Sequence, residues 1–171
     1  MFPQVNPVTI YTDGACTGNP GSGGYGAVIL QDGKRRELSK GYQMTTNNRM
    51  ELMAAIAALE SLKQSSQVRL FTDSKYLSDA INKGWTDTWQ ANGWRKSDKG
   101  KVLNMDLWKR LLQLLDKHDV RILWVKGHAG HKENERCDQL AVQAAQGKNL
   151  AQDSGYENSK ESQINRQPGL F

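Results

Sequence analysis

Cysteines and long apolar runs are scarce in this chain of 171 residues. Its two cysteines, Cys16 and Cys137, are too few for the disulfide framework of a small secreted domain, so the sequence predicts a reducing, cytoplasmic environment. No stretch reaches the roughly 18 consecutive apolar residues that a membrane span needs, and the mean hydropathy is −0.69. Residues 1–7 lack a cationic region followed by an apolar stretch, so no signal peptide is expected. The composition thus argues against a membrane protein and against a disulfide scaffold.

Acidic residues are outnumbered by basic ones, 18 to 23, and the net charge of +5 favours a polyanionic partner. The excess is concentrated in residues 83–110, which hold seven Lys or Arg residues against three Asp. Four of the five tryptophans lie in the same stretch, namely Trp85, Trp89, Trp94 and Trp108. Basic charge interleaved with aromatic rings suits binding to a nucleic-acid backbone. The same pattern also fits a helical excursion held together by packed tryptophans, and the residues alone leave both interpretations open.

Strand-like and helix-like patterns follow one another along the chain. Strands are predicted over residues 8–13, 25–31, 37–43, 68–73 and 120–125, with an Asp32-Gly33 hairpin turn between the second and the third. Helices are predicted over residues 45–63, in a short stretch ending at residue 82, over residues 106–117, and in a last stretch with an apolar stripe that includes Cys137 and Leu140. Asn48 and Glu51 have the spacing of a capping box at the start of the first helix.

This order of elements predicts the fold class. A β-meander followed by alternating strands and helices indicates an α/β domain with a mixed sheet flanked by helices. We place that domain at residues 1–150. Periodicity fails after about residue 148, so residues 151–171 are predicted to form a flexible polar tail.

Four carboxylates are candidates for a common site. Asp13 and Asp73 each follow an apolar strand, in Tyr11-Thr-Asp13 and Phe71-Thr-Asp73, where open α/β sheets place their ligand sites. Glu51 lies early in the first long helix and Asp138 early in the last one. Converging carboxylates are the ligands that Mg²⁺ or Mn²⁺ prefers, and two such ions can act on a phosphodiester. The spacing also allows plainer roles, since Glu51 could only complete a capping box and each Asp could be an ordinary strand-end residue.

Two further motifs contain residues that could take part in chemistry. The Gly21–Gly26 stretch matches G-x-G-x-x-G, but residues 27–30 form a strand pattern rather than a helix, so a Gly-rich bend into a hairpin is preferred over a dinucleotide site. His128 and His131 lie in a Gly-containing loop, and a histidine there could carry protons near neutral pH. Zinc binding by these histidines with Cys137 is the rival interpretation, although the spacing fits no zinc signature.

Several sequence blocks, in this order, resemble bacterial type 1 ribonuclease H from about residue 7 to residue 156. They are Tyr11–Gly14, Gly18–Gly21, Thr45–Ala55, Thr72–Ser74, Trp124–His131 and Glu133–Asp138. The resemblance implies a ribonuclease H-like fold with a five-stranded mixed sheet whose first three strands are antiparallel, and a basic, Trp-rich helical protrusion. It implies an endonuclease that hydrolyses the RNA strand of RNA–DNA hybrids with two Mg²⁺ ions, Mn²⁺ being a substitute, and leaves 3′-hydroxyl and 5′-phosphate ends.

The resemblance also implies roles for individual residues. The metal-binding carboxylates would be Asp13, Glu51, Asp73 and Asp138, and His128 would assist proton transfer or product release. Asn19, Asn47 and Asn48 would lie near the RNA strand, and the protrusion, with Trp85, Lys96, Lys99 and Lys101, would grip the DNA strand. The protein is expected to be a monomer and to have no membrane partner.

The chain departs from the family pattern at three places. Gln90-Ala-Asn92 stands where the protrusion is often strongly basic, and Lys75 stands where the family often has Gln. The chain also extends past the family's usual end and finishes in Gln167-Pro-Gly-Leu-Phe171, which resembles a sliding-clamp docking peptide with Gln167, Leu170 and Phe171 as its contacts. A chance terminus is the alternative. Two rival functions remain: a module that binds hybrid without cutting it, against which the four acids argue, and a nuclease of the same superfold that acts on DNA.

Overall fold

A five-stranded mixed sheet forms the centre of the protein in a computed structural model that describes residues 7–96 and 100–159. The strands are β1 (Val8–Cys16), β2 (Gly21–Gln31), β3 (Lys34–Thr45), β4 (Gln67–Thr72) and β5 (Asp119–Trp124). Their order is β3-β2-β1-β4-β5. Strand β2 is antiparallel to both β1 and β3, whereas β4 is parallel to both β1 and β5. The predicted mixed sheet with three antiparallel first strands is confirmed.

The hairpin between β2 and β3 turns at Asp32 and Gly33, which both have positive φ, 52° and 73°. Two successive positive φ values are the signature of the tight turn that matches strand twist, and Asp-Gly is a preferred pair for it. Residues 21–26 belong to β2, so the glycine-rich stretch is a strand and not the start of a helix.

Strand β1 is longer than predicted. Its parallel pairing with β4 ends at Thr12 opposite Thr72, but its antiparallel pairing with β2 continues to Cys16 opposite Gly23. Asp13 therefore lies within a strand, at the point where β1 loses one of its two neighbours, and not at the strand's end. The sequence suggested an end because Asp-Gly is a turn signal.

Six helices occur in the described residues. They are α1 (Asn47–Glu60), α2 (Lys75–Asn82), α3 (Trp85–Ala91), α4 (Met105–Lys117), α5 (Lys132–Ala145) and α6 (Ser154–Glu157). The capping residue of α1 is Thr46, whose hydroxyl accepts a hydrogen bond from the backbone N–H of Arg49. The predicted capping box of Asn48 and Glu51 is wrong, because the N-cap lies two residues before Asn48 and Asn48 is itself inside the helix. No described helix is both long and apolar enough to cross a bilayer.

Helices cover both faces of the sheet. On one face α1 buries Leu52 and Ile56 against Ile10 and Leu70 of the central strands, together with Trp108 of α4. On the other face α5 packs against β2 so closely that a Cβ at Gly24 or Gly26 would collide with α5 atoms, including the carbonyl oxygens of Ala141 and Cys137. The absence of side chains at these two positions lets α5 lie directly on the strand backbone.

The tryptophans of residues 83–110 divide into two groups. Trp89 and Trp108 meet edge to face with ring centroids 5.5 Å apart, Trp108 is fully buried, and Trp94 packs against the same core. Trp85 is 40% exposed. Three of the four tryptophans thus stabilise the helical excursion, as the packing interpretation requires, and Trp85 alone presents a large exposed ring.

The folded domain continues past residue 150. The backbone N–H of Ala151 donates to the carbonyl oxygen of Gly41, and its own carbonyl accepts from the N–H of Gln43, each at 2.8 Å. Asp153 and Tyr156 are buried. The start of the predicted tail at residue 151 is therefore too early, since Ala151 pairs with β3 and Ser154–Glu157 form α6. Residues 160–171 lie outside the described residues.

Candidate active site

Three carboxylates from separate elements meet at one edge of the sheet. They belong to Asp13 on β1, Glu51 on α1 and Asp73 directly after β4. One carboxylate oxygen from each residue lies within 4.8 Å of the corresponding oxygens of the other two. Asp13 and Glu51 are buried and Asp73 is partly buried. The parallel pairing of β1 with β4 brings the two aspartates together, as the sequence predicts.

The position of Glu51 depends on a glycine. A Cβ at Gly14 would collide with the backbone of Met50 and Glu51, so the absence of one lets α1 approach β1 at the residue next to Asp13. This close packing delivers Glu51 from one helical turn into α1 to the side of Asp13. Sequence reasoning placed Glu51 at the site but gave no reason for the distance.

Burial makes the charged forms of these carboxylates costly. It is the largest cause that raises the pKa of Asp13 to about 8, followed by the negative charge of Asp73, while a hydrogen bond from the Gly14 N–H (2.9 Å) acts in the opposite direction. Burial, followed by the charge of Asp13, likewise raises the pKa of Glu51 well above its usual range. Like charges held close in a buried site require a cation or a shared proton.

The donor set fits a divalent cation. Oε2 of Glu51 is buried and has no hydrogen-bond partner in the described structure, which leaves one carboxylate oxygen available to a cation. An all-oxygen, carboxylate-rich group is the ligand set of hard cations such as Mg²⁺ and Mn²⁺. The residues present therefore suit Mg²⁺ or Mn²⁺ better than Zn²⁺.

Asp138 lies beside the group but outside it. It is partly buried on α5, and its charge is one of the causes that raise the pKa of Asp13. Its carboxylate oxygens do not belong to the group of oxygens, from Asp13, Glu51 and Asp73, that lie within 4.8 Å of one another. The structure thus brings three of the four predicted carboxylates together and places the fourth near them.

The histidines and cysteines do not form a second metal site in the described part of the chain. His128 is exposed, with a positive φ of 56°, in the loop between β5 and α5. Cys137 is buried, and its Sγ donates to the carbonyl oxygen of Tyr11 at 3.2 Å. The group of candidate ligands found in residues 7–96 and 100–159 contains no His or Cys, so the zinc interpretation finds no support.

The predicted substrate-binding residues lie on two surfaces. Oδ1 of Asn19 accepts a hydrogen bond from the backbone N–H of Asn47 at 2.9 Å, and Asn48 next to it is exposed. On the α3 to α4 segment, Trp85, Lys96 and Lys101 are exposed. Lys99 lies outside the described residues, as do Gln167, Leu170 and Phe171 of the proposed docking peptide.

Sequence reasoning missed one neighbour of the carboxylates. Nε1 of Trp124, at the end of β5, donates to the backbone carbonyl oxygen of Asp73 at 3.0 Å. The contact joins residues 51 positions apart. Its sequence signal was faint, since both residues belong to the motif blocks but nothing in the sequence pairs them.

Comparisons with known proteins agree with this geometry. A family model described as RNase H matches residues 5–146. The Ribonuclease H of Trichodesmium erythraeum is 59% identical over 157 residues, covering 92% of this chain and 100% of that protein. The Ribonuclease HI of Synechocystis sp. is 60% identical over 157 residues, covering 91% and 98%. The crystal structure of LC9-RNase H1, a type 1 RNase H with the type 2 active-site motif, is 31% identical with a TM-score of 0.76, covering 98% of this chain and 88% of that one.

Proposed function

The chain belongs to the ribonuclease H family, and from this membership and the carboxylate group we propose how it works. It is a hydrolytic endonuclease that cleaves the RNA strand of RNA–DNA hybrids. The observation that carries the mechanism is the group formed by Asp13, Glu51 and Asp73, whose oxygens lie close enough together to hold a divalent metal.

The metal is proposed to be Mg²⁺, with Mn²⁺ as a substitute and two ions bound when substrate is present. Asp13, Glu51 and Asp73 would hold them, with Asp138 as a more peripheral ligand. When bound, such ions activate the attacking water and stabilise the charge that develops on the phosphate and on the leaving 3′-oxygen. The raised pKa of Asp13 supports this role, because a cation removes the cost of ionising a buried carboxyl. The products would carry 3′-hydroxyl and 5′-phosphate ends.

His128 would move protons between the reacting groups and solvent. Its exposure on a loop next to the site supports this role, because an imidazole there can exchange with water. His128 directly follows Gly127, and the backbone of Gly127 lies against the Asp73 carboxylate. His128 therefore assists a reaction for which the carboxylates provide the main machinery.

Substrate selection is proposed to involve both surfaces. Asn19, Asn47 and Asn48 offer amide donors and acceptors that could read the 2′-hydroxyl, the group that distinguishes RNA from DNA. Trp85, Lys96, Lys99 and Lys101 would bind the DNA strand, with the lysines contacting phosphates. The hydrogen bond between Asn19 and Asn47 supports the first set, since it fixes both residues in one surface.

Three further proposals concern the tail, the oligomeric state and the cellular compartment. Gln167, Leu170 and Phe171 are proposed to dock onto a sliding clamp, which would raise the effective concentration of the nuclease near DNA. The support is the sequence pattern alone. We further propose a monomer in the cytoplasm, for which the two free cysteines are compatible evidence.

A cleavage assay tests the proposed function and separates it from its rivals. Labelled RNA–DNA hybrid, RNA–RNA and DNA–DNA duplexes are incubated with the protein in Mg²⁺ and, separately, in chelator. Cleavage of the RNA in the hybrid alone, and only with Mg²⁺, is the expected result. Asp73→Asn is the matched control and should bind hybrid without cutting it. Binding without cleavage by the unaltered protein would favour the binding module, and cleavage of DNA duplex would favour the DNA nuclease.

A further inference from the structure

The peptide of Asp73 lies just beyond the end of two paired strands. The parallel ladder of β4 and β5 closes at Thr72 opposite Trp124, and the N–H of Val125 donates to the Thr72 carbonyl oxygen at 2.9 Å. The next carbonyl along the chain, that of Asp73, lies just after β4 and accepts a hydrogen bond from a side chain, the indole N–H of Trp124, at 3.0 Å. The indole thus holds the backbone of the residue that carries the carboxylate.

The exposed Trp124 ring contacts a lysine on its solvent side. It is 42% exposed, and the Nζ atom of Lys75 lies 4.1 Å from its centroid. The other lysine–aromatic pairs in the described residues are wider, at 5.6 to 5.9 Å. A cation over an indole face is attracted by the ring, and the attraction is strongest for tryptophan. Lys75 therefore restricts a ring that its exposure would otherwise leave free to turn.

Asp73 needs such restraint more than its partners do. It is the most exposed of the three grouped carboxylates, so fewer surrounding atoms hold its side chain in place. Its carboxylate lies against Gly127, where a Cβ would come within 2.6 Å of Oδ2. The residue after it is fixed as well, because the N–H of Ser74 donates to the Thr72 hydroxyl at 3.0 Å.

We propose that Trp124 is a positioning residue for the Asp73 carboxylate and that Lys75 holds the indole in its donating orientation. The indole fixes the Asp73 peptide, and through it the side chain, in the geometry that a metal ion requires before the ion arrives. Groups that orient metal ligands commonly govern metal affinity by about 10- to 100-fold. The inference rests on the proposed metal-binding role of Asp73 and concerns what keeps that ligand in place.

Metal binding without substrate tests the inference. The amide NMR signals of Gly14 and Asp73 are followed during Mg²⁺ titration of the full chain. Trp124→Phe keeps an aromatic ring but cannot donate, and we expect its Mg²⁺ dissociation constant to rise about tenfold. Lys75→Gln should raise it severalfold, and Lys75→Arg, which retains the cation, should restore it. An unchanged Mg²⁺ affinity in Trp124→Phe would overturn the proposal, and an unchanged affinity in Lys75→Gln would remove Lys75 from it.

Two control variants separate positioning from general stability. Trp108→Phe also removes one indole hydrogen bond, to the Tyr76 hydroxyl at 2.9 Å, and Lys109→Gln removes the cation over Trp94. Both should leave Mg²⁺ affinity unchanged, even though Trp108→Phe should lower the melting temperature. An equal loss of Mg²⁺ affinity in these controls would contradict a specific role for Trp124.

Hybrid binding in chelator supplies a second readout. Trp124→Phe should bind hybrid as tightly as the unaltered protein, since the indole acts on Asp73 and not on nucleic acid. A loss of hybrid affinity with unchanged Mg²⁺ affinity would make Trp124 a substrate contact and overturn the proposal. If instead the unaltered protein shows no Mg²⁺-dependent shift at Gly14 or Asp73, the proposed metal site fails, an outcome distinct from failure of the positioning role.

Discussion

Asp13 is an acid that the fold places where ionisation is costly. Its pKa is raised from 3.8 to about 8, chiefly by burial, so the folded protein retains a proton that the unfolded chain releases. Between these two values the folded state binds more protons than the unfolded state. The free energy of unfolding therefore falls as the pH rises through this window. The metal-free protein should lose stability between about pH 4 and pH 8, the opposite of the usual behaviour of an ion-paired aspartate.

Asp13→Asn should separate stability from activity. In chelator at pH 8 the variant should be more stable than the unaltered protein by at least about 1 kcal/mol, because one pKa unit corresponds to about 1.4 kcal/mol. Hybrid cleavage in Mg²⁺ should be abolished. Thermal unfolding with chelator and with Mg²⁺ measures the first effect, and single-turnover cleavage measures the second. Near-normal cleavage, or a lower melting temperature in chelator, would contradict the role assigned to Asp13.

His128→Ala should slow cleavage without abolishing it. An exposed loop imidazole assists proton movement, so its loss should reduce turnover by up to roughly 100-fold and flatten the rate profile between pH 6 and pH 9. His131→Ala is the matched control, because His131 is also exposed and its side chain makes no capping bond to α5. Complete inactivity of His128→Ala, or an equal effect of His131→Ala, would argue against a supporting catalytic role.

Among the elements, the excursion from α3 to α4 combines a packed interior with exposed cations. Replacing Lys96, Lys99 and Lys101 by Gln should raise KM for hybrid more than it lowers kcat. Each lost phosphate contact should also reduce the slope of log affinity against log salt by about 1. Lys34→Gln, in the hairpin between β2 and β3, is the control with an unchanged slope expected. The measurement is hybrid binding in chelator at several salt concentrations, and an unchanged slope in the triple variant would mean that these lysines only face solvent.

Element types were predictable from the sequence, but their ends and contacts were less so. Runs of β-branched, aromatic and apolar residues, together with the Asp32-Gly33 turn signal, identified the five strands, although β3 buries only Tyr42 and Thr45. The end of β1 was misplaced because the pairing with β2 is non-local and overrides the turn signal at Asp13-Gly14. The start of α1 was misplaced because Thr46 and Asn48 are both good capping residues, and only the backbone geometry chooses between them.

For the site, residue type and the parallel pairing of β1 with β4 made Asp13 and Asp73 candidates, but the residues alone left plainer roles open, and the family resemblance assigned all four carboxylates to the metal. The contact between Trp124 and Asp73 was beyond prediction because it depends on the orientation of one ring. The distance of Asp138 from the other three likewise depends on how closely α5 lies on the sheet.

At the scale of the whole molecule, the C-terminal part of the fold is tied to the rest through one buried arginine. The Arg49 guanidinium, only 3% exposed, pairs with Asp153 at 2.8 Å and with Asp106 of α4 at 2.7 Å. The Asp153 carboxylate also accepts from the Thr45 hydroxyl at 2.7 Å. Residues 151–159 were predicted to be a tail because only a few of them hold the segment in place. The backbone pairing of Ala151 and the buried side chains of Asp153 and Tyr156 do not produce a periodic pattern in the sequence.

Two truncations test this connection. Ending the chain after residue 150 removes Asp153 and leaves Arg49 buried with one partner fewer, which should cost roughly 3–5 kcal/mol in the free energy of unfolding. Ending it after residue 159 should leave the free energy of unfolding unchanged. Urea unfolding in the presence of Mg²⁺ measures both, and equal stability of the two truncated proteins would show that residues 151–159 contribute nothing.

The helix that carries Asp138 rests on Gly24 and Gly26, with no layer of side chains between it and the strand. For the gene, this means that two glycine codons contribute to the catalytic site because glycine has no Cβ atom. Any change of the first or second base of a glycine codon introduces a side chain or a stop, and even one added methyl group would lift α5 and move Asp138 with it. A random mutant library selected for nuclease activity should therefore be as depleted of changes at these two codons as at those of the carboxylates, although neither glycine touches metal or nucleic acid.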